Sequence, residues 1–209
     1  MRIPALCLAM SGLVSLGLLG CSDAVTERDA GELDAGIRED TGPPDAGPPP
    51  PLALATTAFG DGEAVPQRHQ CGPPLIPDGV GEDVTPALSW SGGPEAASYA
   101  VIVRDRSAGG LVHWVIYDIP GSTTAVDEGV PSGYEPPFPS GAKQAEIQGS
   151  GYFGYFGPCS GGRGNTYAWT VHALDVASLP DVDRGTPEND VAALVESISI
   201  ASASFTGIY

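Results

Sequence analysis

The stretch Ser98–Pro120, SYAVIVRDRSAGGLVHWVIYDIP, decides how the rest of the chain is read. Two apolar, β-branched runs, Tyr99–Val103 and Leu111–Ile119, flank a polar segment, Asp105–Gly110, that ends in Gly-Gly. Such runs around a short glycine-bearing connection read as neighbouring antiparallel strands. Each run also brings a residue that a buried strand does not favour: Asp105 ends the first and His113 sits inside the second. With side chains alternating between faces, Tyr99, Val101, Val103 and Asp105 share one face, and Leu111, His113, Val115 and Tyr117 share another. If Asp105 stands opposite Leu111, His113 lies diagonally across from it, roughly 7–8 Å away. A carboxylate and an imidazole meeting at the rim of an apolar sheet is the main chemical clue in the chain.

The 209 residues suffice for one domain of ordinary size with additional segments. An apolar content of 42% supports a real core, while 29 glycines and 21 prolines point to many turns, a mixture that suits an all-β domain. The formal charge is −17, and Lys143 is the only lysine. Such a surface repels phosphate backbones, so nucleic-acid binding is not expected. A small anionic ligand remains compatible with it, because a pocket can be locally positive inside an acidic protein.

Residues 1–20 begin with Arg2 and continue in an apolar run from Ile3 to Leu19 that glycine and serine interrupt. The run is too short and broken for a membrane span and reads as a secretory signal. It ends Leu18-Leu19-Gly20-Cys21, which resembles the bacterial lipoprotein signal-peptidase motif. That resemblance makes Cys21 the lipidated first residue of the mature protein, anchored in the cell envelope. Ser22 in the next position favours the outer membrane by the sorting rule of enteric bacteria. Residues 21–52 are acidic and then proline-rich, with too few apolar side chains to fold, and read as a semi-extended tether.

The folded domain is expected over residues 53–209. Strands are expected at Thr85–Trp90, Tyr99–Val103, Leu111–Ile119, Thr166–Leu174 and Ile198–Ile208. Thr186-Pro187-Glu188 has the form of a helix start, with Thr186 as cap and a helix of about ten residues running through Val191, Leu194 and Val195. Cys71 and Cys159 are the two cysteines of this body, and an exported chain allows them one disulfide, though nothing in the sequence brings them together. His69 has no partner at metal-ligand spacing, and the glycines of Gly149–Gly157 lack a phosphate-loop ending, so neither a metal nor a cofactor is expected.

Four segments taken together carry a family resemblance: Thr85–Trp90 (TPALSW), the hairpin with Asp105 and His113-Trp114, Gly151–Cys159 (GYFGYFGPC) and Asn165–Asp175 (NTYAWTVHALD). In this order and spacing the chain resembles the phosphatidylethanolamine-binding protein (PEBP) family, in particular its bacterial Raf-kinase-inhibitor-like members. The resemblance implies a sandwich of antiparallel sheets with one or two short peripheral helices. It also implies a pocket for phosphate-like head groups at one edge, lined here by Asp105, His113, Gly157, Pro158, Asn165 and Tyr167. Asp105 matches the first aspartate of the family's Asp-Pro-Asp-Ala-Pro motif, although Asp105–Gly109 has lost both prolines and the second aspartate. Asn165-Thr166-Tyr167 matches a His-Arg-Tyr motif of which only the tyrosine survives.

An amide in place of an imidazole donates hydrogen bonds but carries no charge, and charge-assisted bonds are the stronger kind. A pocket that binds dianions more weakly, or that prefers a neutral polar group, is therefore expected, with His113 made easier to protonate by Asp105. The resulting reading is a lipid-tethered, non-enzymatic module that binds a small anion such as phosphate or a phospholipid head group. The competing reading is an interaction module that inhibits a protease or another protein partner in the envelope. A hydrolase built on Asp105, His113 and Ser107 lacks a positioned nucleophile and oxyanion hole.

Overall fold

The computed structural model describes residues 47–209 apart from residue 163. The signal peptide, Cys21 and the tether as far as residue 46 lie outside the described residues. Nine strands and one α-helix follow in the order β1 (Ala53–Thr56), β2 (Glu63–Ala64), β3 (Leu88–Ser91), β4 (Ser98–Asp105), β5 (Leu111–Pro120), β6 (Ala125–Val126), β7 (Lys143–Gln144), β8 (Thr166–Leu174), α1 (Glu188–Ile198) and β9 (Ser199–Ile208). They form a three-stranded sheet, β1-β3-β6, and a six-stranded sheet, β2-β9-β8-β4-β5-β7. Among the described residues the fold is all-β with one peripheral α-helix, and the pairings between these strands are antiparallel except for the short β2–β9 contact, which is parallel.

Alternation on the long strands builds two cores. Tyr99, Val101 and Val103 of β4, with Trp169 and Val171 of β8, meet Leu88 and Trp90 of the small sheet in the interior of the sandwich. Ala100 and Ile102 point the other way and are covered by Val191, Ala192 and Val195 of α1. Burying each of those valines contributes about 1.5–3 kcal/mol, which suffices to hold a helix of three turns against the sheet.

The central hairpin forms as expected, with Asp105 opposite Leu111. Gly109 and Gly110 close it at φ +66° and +82°, a backbone conformation in which glycine has no Cβ to strain. The expected faces of β5 need correction. Val103 pairs with Trp114 and Arg104 with Val112, which leaves His113 as the extra residue of a β-bulge. Because of it, Leu111, His113, Val115 and Tyr117 do not form one continuous face. A second irregularity near the end of the strand sets Tyr117 and Asp118 against the single residue Ala100, with Asp118 at φ +56°.

The helix start also differs from expectation. Pro187 is the N-cap and offers no side-chain bond, while the Thr186 hydroxyl pairs with Asp183 instead of the helix. Glu188 and Asp190 in the first turn supply the negative charge that the positive end of the helix favours. The expected β3 strand is shorter than its apolar pattern, beginning at Leu88, because the Thr85 hydroxyl accepts the Val130 amide of a neighbouring loop.

Candidate functional site

Asp105 closes β4 and is 2% exposed. One carboxylate oxygen, Oδ1, accepts the backbone N–H groups of Ser107 (2.8 Å) and Ala108 (3.1 Å), an Asx turn that starts the hairpin connection. The other, Oδ2, accepts Nδ2 of Asn165 at 2.8 Å, joining β4 to the residue that precedes β8. The next residue but one, Tyr167, is the cross-strand partner of Asp105. Its hydroxyl both donates to the Cys159 carbonyl and accepts the Cys159 amide, each at 3.0 Å. Burial pushes this phenol above its usual range and keeps its proton in place.

His113 is delivered into the same neighbourhood by the bulge. Its ring lies parallel to Phe156 (centroids 4.8 Å apart) and edge-on to Tyr167 (5.0 Å). The ring nitrogen Nδ1 reaches the carbonyls of Phe156 (3.1 Å) and Gly157 (3.3 Å). A carbonyl offers no proton, so Nδ1 carries it, and in the neutral ring Nε2 is a bare acceptor. Nε2 is buried and has no hydrogen-bond partner among the described residues.

The expectation that His113 is easily protonated is not met. Burial lowers its pKa below the usual imidazole value and outweighs the two carbonyls and Asp105, which act in the opposite direction. Asp105 also favours the protonated ring, but less than the two carbonyls do.

The glycine turn is fixed from the outside. Gly157 donates its N–H to Asp83 Oδ1 at 2.8 Å, and Asp83 Oδ2 accepts Gly72 N–H at 3.0 Å. A Cβ on Gly157 would fall 2.5 Å from the Gln70 carbonyl carbon and 2.6 Å from the His69 oxygen, so only glycine fits there. Pro158 accepts the Cys71 amide at 3.0 Å, and Cys71 is disulfide-bonded to Cys159 with a Cα–Cα distance of 5.3 Å. Asp105, His113, Gly157, Pro158, Asn165 and Tyr167 therefore gather in one place, and the two body cysteines sit beside them. Sequence reasoning missed Phe156 and Asp83. Phe156 adjoins Gly157 in the chain and could have been found by that adjacency, whereas Asp83 stands in no motif. No cluster of metal-ligating side chains occurs among the described residues, and His69 gives its Nδ1 to the Val84 carbonyl at 2.7 Å.

Residues 55–209 match the family model described as phosphatidylethanolamine-binding protein. The chain belongs to this family. A UPF0098 protein of Methanothermobacter thermautotrophicus is 35% identical over 161 residues, 76% of this chain and 98% of that one. A Mycobacterium tuberculosis protein named "Putative lipoprotein LppC" is 36% identical over 132 residues, 61% of this chain and 57% of its own length. Among solved structures, Escherichia coli YbcL, described as a new member of the mammalian PEBP family, superposes with a TM-score of 0.66 at 27% identity. That match covers 77% of this chain and 98% of YbcL. The all-β PEBP architecture expected from four short motifs is thus the architecture of the chain.

Proposed function

We propose that this PEBP-family domain is a non-catalytic binding module for a small phosphate-like anion, carried by a lipid-anchored protein of the cell envelope. The observation that carries the reading is the buried, partnerless Nε2 of His113. A buried polar atom without a partner costs about 1–3 kcal/mol, and such an atom beside a polar cluster is explained when a ligand completes it. A phosphate that keeps one hydroxyl donates to the neutral ring, whereas a fully ionised oxygen requires the ring to take up a proton and donate. The second N–H of the Asn165 amide is the other donor that Asp105 leaves unused. Because burial opposes protonation of His113, binding of the ionised form is coupled to proton uptake and strengthens as the pH falls.

Reaction chemistry finds less support. The Ser107 hydroxyl accepts the Thr166 amide and is not among the hydrogen-bond partners of His113, so the nearest candidate nucleophile is engaged elsewhere. One observation favours the interaction-module reading: Asp105 accepts three internal bonds, and the Tyr167 hydroxyl is fully used by Cys159. Titration of inorganic phosphate against the His113 ring ¹⁵N signals at pH 6 and pH 7.5 separates the two readings. Saturable shifts that are larger and tighter at pH 6 support the anion site. Silence at both pH values leaves the interaction module.

A further inference from the structure

Phe156, which stacks on His113, also forms a wall of a separate cleft of about 170 Å³. Leu75, Ile76, Ile147 and Tyr152 provide its other apolar surface, with Gln148 and Ser150 on the rim. None of these side chains carries a formal charge, and burial together with the nearby Asp83 raises the pKa of the Tyr152 phenol, which keeps it neutral. The walls come from two separate segments, residues 75–76 and 147–156. The first belongs to the loop that Asp83 ties to Gly157 and the disulfide ties to Cys159. The cleft is therefore formed before any guest arrives, as small-molecule sites usually are. Gln148 is less committed than its neighbours: it is held at φ +54°, is exposed, and its amide reaches the Val112 carbonyl only at 3.5 Å.

We infer that this cleft is a second ligand site, distinct from the His113 pocket, for an uncharged single-ring aromatic compound bearing a hydroxyl. The volume admits one ring, because a cavity of about 150 Å³ lined by Leu, Ile and Phe is enough to take benzene. The absence of lining charge disfavours an ionised guest, since its desolvation would go uncompensated. Phe156 and Tyr152 offer aromatic surfaces for stacked or edge-on contact. The Gln148 amide supplies the polar partner for the hydroxyl.

The test is a titration of the full-length protein with phenol, followed by methyl NMR of Leu75, Ile76 and Ile147. Saturable shifts with a Kd of about 1 mM or tighter are expected for a guest of seven non-hydrogen atoms. Leu75→Trp fills the cleft from a half-exposed position, so the fold tolerates it, and it weakens phenol at least about tenfold, a change of about 1.4 kcal/mol. Gln148→Ala reduces the preference for phenol over toluene. Shifts that grow linearly with phenol, or saturable shifts that survive Leu75→Trp, overturn the inference. Phosphate tested on the same samples keeps the two sites apart. A phosphate response without a phenol response removes the cleft alone, and a phenol response without a phosphate response removes the anion site alone.

Discussion

At the residue scale, the tautomer of His113 sets which ligand atom the proposed anion site can accept. Both neighbours of Nδ1 are carbonyls, so a ¹⁵N spectrum at pH 7 should show a proton on Nδ1 and a pyridine-like Nε2. A proton on Nε2 instead would mean that the ring is turned the other way, and the ligand chemistry argued here would fail. Burial also lowers the pKa of His172, as it does that of His113. Below about pH 6.5 the unfolded chain therefore binds more protons at these positions than the native one, and stability falls as the pH drops through that value. Denaturation midpoints should be lower at pH 5.5 than at pH 7.5, with phosphate restoring part of the loss. Asp83 has the opposite sign: burial raises its pKa above 3.8, so its contribution is present in acid and is lost as the pH rises through the shifted value. Asn165→His puts a second imidazole where the family pattern has one, and phosphate binding should tighten at pH 6 by calorimetry. The Asn165→Ala variant strips one donor from the buried Asp105 carboxylate and should cost about 1–3 kcal/mol in urea denaturation.

At the scale of elements, the two irregularities of β5 place the polar chemistry. The first puts His113 beside Tyr167, and the second turns the Asp118 carboxylate to receive Lys143 Nζ (2.8 Å), Ser178 Oγ (2.7 Å) and the Leu179 amide (2.9 Å). Asp118 thereby fastens β7 and the loop before α1 to the central sheet. Asp118→Ala leaves those donors without their acceptor and should cost about 1–3 kcal/mol by thermal or urea denaturation, although phosphate binding stays intact. A variant with unchanged stability would mean that water replaces the carboxylate. Neither irregularity was legible in the sequence, and the reason is physical. Val112–Ile119 is buried on both faces, so its apolar run is nearly continuous and carries no alternation from which a skipped residue can be read. The strand and its partner were legible because apolar content and the Gly-Gly turn suffice for that. The helix was legible from its buried stripe at Val191 and Val195, but its exact start was not, because Thr186 found a closer partner in Asp183. The residues of the site were legible through family motifs, while their hydrogen-bonding states depend on loops that only the fold brings together.

At the scale of the whole molecule, the disulfide holds the domain together, and the proposed lipid anchor would hold it at a membrane. The Cys71–Cys159 bond closes a sequence separation of 88 residues and ties the loop of Cys71 to the one that carries Gly157 and Pro158. Replacing both cysteines with serine should cost about 2–4 kcal/mol, chiefly by freeing the unfolded chain. The proposed anchor is the lipid expected on Cys21. With a formal charge of −17, the protein surface is repelled by anionic lipid, and no helix among the described residues is long and apolar enough to cross a membrane. On the lipoprotein reading proposed above, acyl chains on Cys21 supply the membrane retention, and more than one is needed, because a single chain binds only marginally. The wild-type protein should pellet with membranes, resist a high-salt wash and incorporate labelled fatty acid. Cys21→Ser should do none of these while leaving the fold of residues 53–209 unchanged by circular dichroism. A serine variant that still sediments with membranes would transfer the anchoring role to the domain surface, and the acidic, proline-rich segment before Ala53 would no longer read as a tether.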